Sequence, residues 1–204
     1  MAITAAICTS YKADLFNGAQ LAADTYKVAL FTSAATLDKT TTVYGTANEA
    51  SGTGYTAAGA TLSGFTVSNL GAWAILCFTD ASWPSSTITA RGALIHNTTR
   101  TKACVVLDFG ADKSSSAGTF TIDFGNATTS AASITFAATT LTRAAGDFVA
   151  DGYQVGHTIL TDDAINPGPY VITTVATTVL TCSAASMTAG GPRTVTIKEA
   201  VIYM

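Results

Sequence analysis

Charge is scarce in this chain: only 11% of its residues are Asp, Glu, Lys or Arg and only two are His, against 48% apolar. Acid–base and nucleophilic catalysis need such groups in convergent sets, so the composition favours a structural or binding role and predicts no enzyme. The ten Lys and Arg stand singly and the net charge is -3. A polyanion partner requires clustered cations, so nucleic acid is not an expected partner. Long apolar runs are missing too. The longest stretch without a polar residue, Ala72–Phe78, falls far short of the roughly 20 residues a helix needs to span a bilayer. No Lys or Arg precedes the short apolar start Met1–Cys8, and Thr9-Ser10 follow at once, unlike a secretory signal. The expectation is a soluble chain made in the cytoplasm, with no membrane partner.

Cysteine is sparse and scattered, at positions 8, 77, 104 and 182. No close pair exists, so neither a zinc knuckle nor a CxxC redox motif is present. Cys77 and Cys104 lie in apolar, strand-like runs, where a thiol behaves as a small hydrophobe. Buried free thiols are expected, and inter-subunit disulfides are the alternative.

What fills the chain is Thr, Ala, Ser and Gly between short β-branched and aromatic runs, the pattern of many short strands. Ser10 is placed to cap one short helix with Tyr11, Leu15 and Ala19 on one face, ended by Asn17-Gly18. Tyr26–Phe31 alternates as a strand with Tyr26, Val28 and Leu30 on one side. Residues 32–60 form a long polar excursion whose only anchors are Leu37, Val43, Tyr44 and Tyr55; it either packs on those anchors or orders against a neighbouring subunit. Strands are expected at 61–67, 72–79, 86–95, 103–109 and 118–124. The fold class is all-β with one short N-terminal helix: an antiparallel β-sandwich or jelly roll over residues 1–124. Residues 125–133 read as a linker. Residues 134–204 then form a small β-barrel or sandwich with strands at 134–136, 139–142, 154–160, 170–175 and 178–182. The last strand, 194–204, either completes that domain or returns to the first.

No catalytic, cofactor or metal site emerges. His96 reads as a partly exposed structural residue, since no ligand stands at metal spacing from it. His157 lies in the other domain. Asp162-Asp163 near Asn166 lacks the further oxygen ligands of a calcium loop and reads as a solvated turn. Asp108, Asp112 and Lys113 have no nucleophile elbow or orienting histidine beside them, and no phosphate loop occurs. Trp73, Trp83, Phe78 and Tyr55 would make a sugar platform only if exposed together. Aromatics in strands are more often core, and Trp83-Pro84 reads as a turn anchor. Arg91 and Asp108 are placed to pair across neighbouring strands, with Gly92 and Gly110 permitting close backbone packing.

Four strings carry a resemblance: YKVALFTSAATLDKTTTVY at 26–44, NEASGTGYTAAGATLSG at 48–64, TARGALIHN at 89–97 and VVLDFGADKSSSAGTF at 105–120. With the opening MAITAAIC, they resemble a family of small virion structural proteins of tailed bacteriophages, over residues 1 to 124. The segments LTRAAGDFVADGYQVGHTI at 141–159 and PYVITTVATTVLT at 169–181 resemble small β modules appended to phage structural proteins. The resemblance implies a particle component localised to the virion, with no catalytic residues. Its leading form is a capsid decoration, or cement, protein that binds the major capsid protein and self-associates as a homotrimer. Contacts are expected from Tyr11–Ala60. The alternative is a tail, baseplate or fibre-associated component that touches the host.

Overall fold

The computed structural model describes residues 2–20, 22–183 and 187–204. The elements in order are β1 (Ala6–Ile7), α1 (Thr9–Phe16), β2 (Tyr26–Phe31), β3 (Ala60–Thr61), β4 (Thr66–Leu70), β5 (Trp73–Cys77), β6 (Ala81–Asn97) and β7 (Lys102–Ile122). They continue with β8 (Thr128–Ala137), β9 (Thr140–Arg143), β10 (Thr158–Thr161), β11 (Tyr170–Val175), β12 (Val179–Cys182), β13 (Gly190–Glu199) and β14 (Ile202–Tyr203). The chain is all-β with one short helix, as its composition predicts. It divides into two compact units, Met1–Phe65 with Phe78–Asp123, and Thr66–Cys77 with Phe124–Met204.

The first unit is built on a five-stranded antiparallel sheet in the order β1-β7-β6-β2-β3. Val28, Ala29, Leu30 and Phe31 of β2 are all buried, so β2 is covered on both faces rather than on the one face its alternation marks. Two expected strands, 103–109 and 118–124, are instead one long strand, β7. The polar stretch between them stays paired with β6, and hydroxyl pairs bridge it: Thr89 with Ser114 at 2.9 Å and Ser86 with Ser115 at 2.8 Å. Such cross-strand pairs stabilise a strand that has little apolar side chain to bury. Trp83-Pro84 lies within β6, at a register shift between Trp83 and Ser86, and not at a turn. Helix α1 is preceded by Cys8 as its N-cap, without a side-chain cap bond; Ser10 lies inside the first turn.

The second unit holds a closed antiparallel barrel, β10-β11-β12-β9-β8-β13, and a three-stranded sheet, β14-β5-β4. The barrel core gathers Ile134, Phe136, Leu141, Phe148, Ile159, Ile172, Leu180, Val195 and Ile197. Strand β8 begins at Thr128, so most of the expected linker 125–133 is ladder, paired with β13 from Lys198 to Gly190. Both closing strands stay in this unit: β13 pairs with β8 and β10, and β14 with β5.

Hairpin β4–β5 falls in the sequence assigned to the first domain, yet it belongs to the second unit. Ile75 and Cys77 pack with Leu160 and Ala200, and the Trp73 indole N–H donates to Pro167 O at 2.8 Å. The expected strand 61–67 is broken accordingly into β3 and β4. At the break Gly64 has φ +67°, and a Cβ there would meet Thr79 Cγ2 at 2.8 Å.

Candidate functional site

The excursion between β2 and β3 is the most distinctive part of the first unit, and it packs on its own chain. A β2 edge left open would expose unpaired backbone groups. Here Ala50 N–H donates to Leu30 O at 2.8 Å, and the Tyr55 hydroxyl accepts the Leu30 N–H at 2.9 Å. Near β3, Gly59 at φ +74° runs so close to β2 that a Cβ would lie 1.8 Å from Val28 O; only glycine fits that approach.

Glu49 is the hub of this layer. Its Oε1 accepts Tyr55 O–H and Ala58 N–H, each at 2.7 Å, and its Oε2 accepts Tyr44 O–H at 2.5 Å. The Tyr44 ring stacks on His96 with centroids 4.5 Å apart. His96 Nε2 lies 3.2 Å from Ala58 O, a bond the ring makes as donor, which sets the Nε2–H tautomer. One carboxylate thereby ties three points of the excursion together, and one imidazole ties them to β6. Burial holds His96 below the ordinary imidazole value. Burial first, and the Glu49 carboxylate second, push Tyr44 up to about 12, and the same causes push Tyr55 higher. These phenols act as neutral donors.

Of the four expected anchors, Leu37 is buried, Tyr44 and Tyr55 are half-buried, and Val43 is exposed. Residues 45–48, 51–54, 56 and 57 also face outward. Between Gly45 and Ala57, apart from the partly buried hub, that outward surface is uncharged, Gly, Thr, Ala, Asn and Ser, while Asp38 and the exposed Lys39 lie earlier in the excursion. The hub itself escapes sequence reasoning because it is a lone carboxylate, and its only signal is the flanking pair of tyrosines in an otherwise small-residue stretch.

The other candidates have local duties. Arg91 Nε meets Asp108 Oδ1 at 3.2 Å, the cross-strand pair the sequence anticipates, and the same oxygen accepts Gly110 N–H at 2.9 Å. Asp112 and Lys113 are exposed on β7 and make no cluster with Asp108. His96 is only 3% exposed, not the partly exposed residue expected. His157 Nδ1 lies 3.3 Å from the buried Glu199. Asp163 is not a solvated turn residue: it accepts from Ile165 N–H and Asn166 N–H at 2.9 and 2.7 Å and pairs with Arg193 at 3.0 Å. Asp162 accepts the Thr196 N–H at 2.8 Å, and Asn166 exchanges two bonds with Thr188. Asp163 is thus committed to its own turn and to Arg193, and Asp162 to an amide of β13.

Phe78 and Trp83 are buried, Trp83 in contact with Tyr55 and Phe120, while Trp73 belongs to the second unit; the four aromatics make no exposed platform. All four cysteines are buried and free. No group of three potential metal-binding residues occurs among the described residues. One unanticipated feature is Arg143, whose side chain is 3% exposed, pairs with Asp151 at 2.7 Å and lies 4.0 Å over the Phe148 ring. Comparison with models of protein families, with curated proteins and with solved structures finds no match for this chain.

Proposed function

We propose that this chain is a bacteriophage virion structural protein, a decoration protein that binds the major capsid protein on the assembled head shell as a homotrimer. The observation that carries this reading is the pinned excursion. A layer of 28 or so residues would cost on the order of 1 kcal/mol per residue in backbone entropy if it ordered only on binding. Tyr55, Glu49, Tyr44 and His96 hold it in place beforehand. A preorganised surface of small residues, with Asp38 and Lys39 as its only charged side chains besides Glu49, suits a broad contact repeated many times, because little ordering is left to oppose association. The strings at 26–44 and 48–64, which carry the resemblance to phage structural proteins, cover this same layer.

The mechanism is mass action. A protein that binds only the expanded lattice stabilises that lattice, by about 2.7 kcal/mol per site at a free concentration a hundredfold above Kd. Chemistry at the contact is not required, and the locally committed carboxylates and guanidinium groups fit that role.

The test is a cryo-electron microscopy reconstruction of purified particles, with shell and tail refined separately. Ordered copies at local threefold positions of the shell, with residues 32–60 against the capsid protein, support the proposal. Density for this chain confined to the tail or baseplate would overturn it and make host attachment the function.

A further inference from the structure

Strand β1 is only Ala6–Ile7, yet it sets two cysteines face to face. Ile7 pairs with Val105, and Cys8 N–H donates to Cys104 O at 2.9 Å, so the ladder runs one residue past β1 and Cys8 opposes Cys104. Opposed residues of an antiparallel pair project to the same side of the sheet, with Cα atoms about 4.5–5.5 Å apart. That is the ordinary Cα spacing of a disulfide. Both side chains are 0% exposed, so neither is available to another molecule while the sheet is closed. The remaining thiols lie in the second unit, Cys182 in the barrel core and Cys77 beside Ile75 and Leu160. Only a weak contact is given up by closing the pair: the Cys104 thiol donates to Lys102 O at 3.7 Å.

We propose that Cys8 and Cys104 are an oxidation site, a dithiol that closes to an intramolecular disulfide and ties the segment leading into α1 to β7. The oxidant is a low-molecular-weight disulfide such as oxidised glutathione. The Cys8 thiolate attacks one of its sulfurs, forming a mixed disulfide and expelling one glutathione thiolate. The Cys104 thiolate then attacks the Cys8 sulfur, forming the internal bond and expelling the second. The protein loses two electrons and two protons; the oxidant gains both and leaves as two thiols. Burial pushes Cys8 up to about 11 and Cys104 higher still, so the closed sheet holds little thiolate. Reaction therefore runs through local openings of the short β1 ladder and is faster in mild urea.

The experiment uses the reduced full-length chain, incubated with oxidised glutathione at pH 8 with and without 2 M urea. Free thiols are then blocked with iodoacetamide after full denaturation in guanidinium chloride, and the unreduced tryptic digest is read by mass spectrometry. Cleavage after Lys12, Lys102 and Lys113 puts Cys8 in peptide 1–12 and Cys104 in peptide 103–113. The expected result is those two peptides linked with a loss of two hydrogens, Cys77 and Cys182 alkylated, and a thermal midpoint raised by roughly 10 °C over the reduced chain. Alkylation of both Cys8 and Cys104 after the urea-assisted incubation overturns the proposal. So do glutathione adducts that never resolve, and so does a link between two copies.

Discussion

Replacing Glu49 tests whether one carboxylate really holds the excursion. Glu49→Ala strips the acceptor from Tyr44, Tyr55 and the Ala58 amide at once. A hydrogen bond to a charged group contributes about 1.5–3 kcal/mol net when buried. The site is only half-buried, so the two phenols regain water and each loss falls to about 0.5 kcal/mol. The Ala58 amide, close to β2 but itself half-buried, keeps a penalty of about 1–2 kcal/mol. The sum is about 2–3 kcal/mol. Glu49→Gln keeps one carbonyl oxygen for Tyr55 and Ala58 and turns an amide toward Tyr44, whose hydroxyl can rotate to accept; its cost is about 1 kcal/mol. The assay is amide hydrogen exchange resolved by residue. In Glu49→Ala, Leu30, Ala50 and Ala58 should exchange about 30- to 150-fold faster, following the 1.4 kcal/mol per decade relation, while Leu94 and Val106 in the centre of the sheet change far less. In Glu49→Gln the same amides should quicken about fivefold. Equal effects of Ala and Gln, or protection of Ala58 within twofold of wild type in Glu49→Ala, would refute the hub.

Three further outcomes follow from the same structure. His96 is held neutral by burial, with its folded pKa below the unfolded value of 6.5; the unfolded chain then binds more protons just below pH 6.5, so stability falls as pH drops through 6.5 toward the folded pKa. Urea midpoints between pH 5 and 7.5 should show that slope, and His96→Gln should flatten it. Arg143→Met removes a buried guanidinium and leaves Asp151 and Thr129 without it, which should cost about 2–3 kcal/mol by chemical denaturation because Asp151 is partly exposed. Arg143→Lys should not rescue, since the flat stack on Phe148 is lost. A fragment of residues 124–204 lacks hairpin β4–β5 and exposes Leu160 and Ala200. Its barrel should melt well below the same barrel in the full chain, and adding residues 66–77 back as a tethered hairpin should recover the difference.

Local pattern was enough for several features. The alternation of Tyr26–Phe31 marks β2, the Asn17-Gly18 pair marks the end of α1, and Tyr170–Val175 is strand β11 to the residue. Arg91 and Asp108 were legible as a pair because each follows a recognisable strand signal. The low charge and the small-residue composition already set the class, since short β-branched runs separated by glycine cannot sustain helices and bury their side chains by sheet pairing.

Tertiary structure alone decided the rest. Gly110–Ser116 has the composition of a loop, and it is strand because β6 pairs along it and supplies partner hydroxyls for Ser114 and Ser115. Ser63-Gly64 looks like the middle of a strand, and it is a break because the next hairpin finds its apolar neighbours, Leu160 and Ala200, about 85 to 135 positions away along a chain whose contacts are mostly long-range. Glu49 carries no local sign of its duty: its three donors, Tyr44, Tyr55 and Ala58, converge only once the excursion lies against β2. A local pattern records which side of a strand is apolar. It does not record which distant surface will cover that side, because loop closure costs so little extra with length that partners far apart in sequence compete on equal terms.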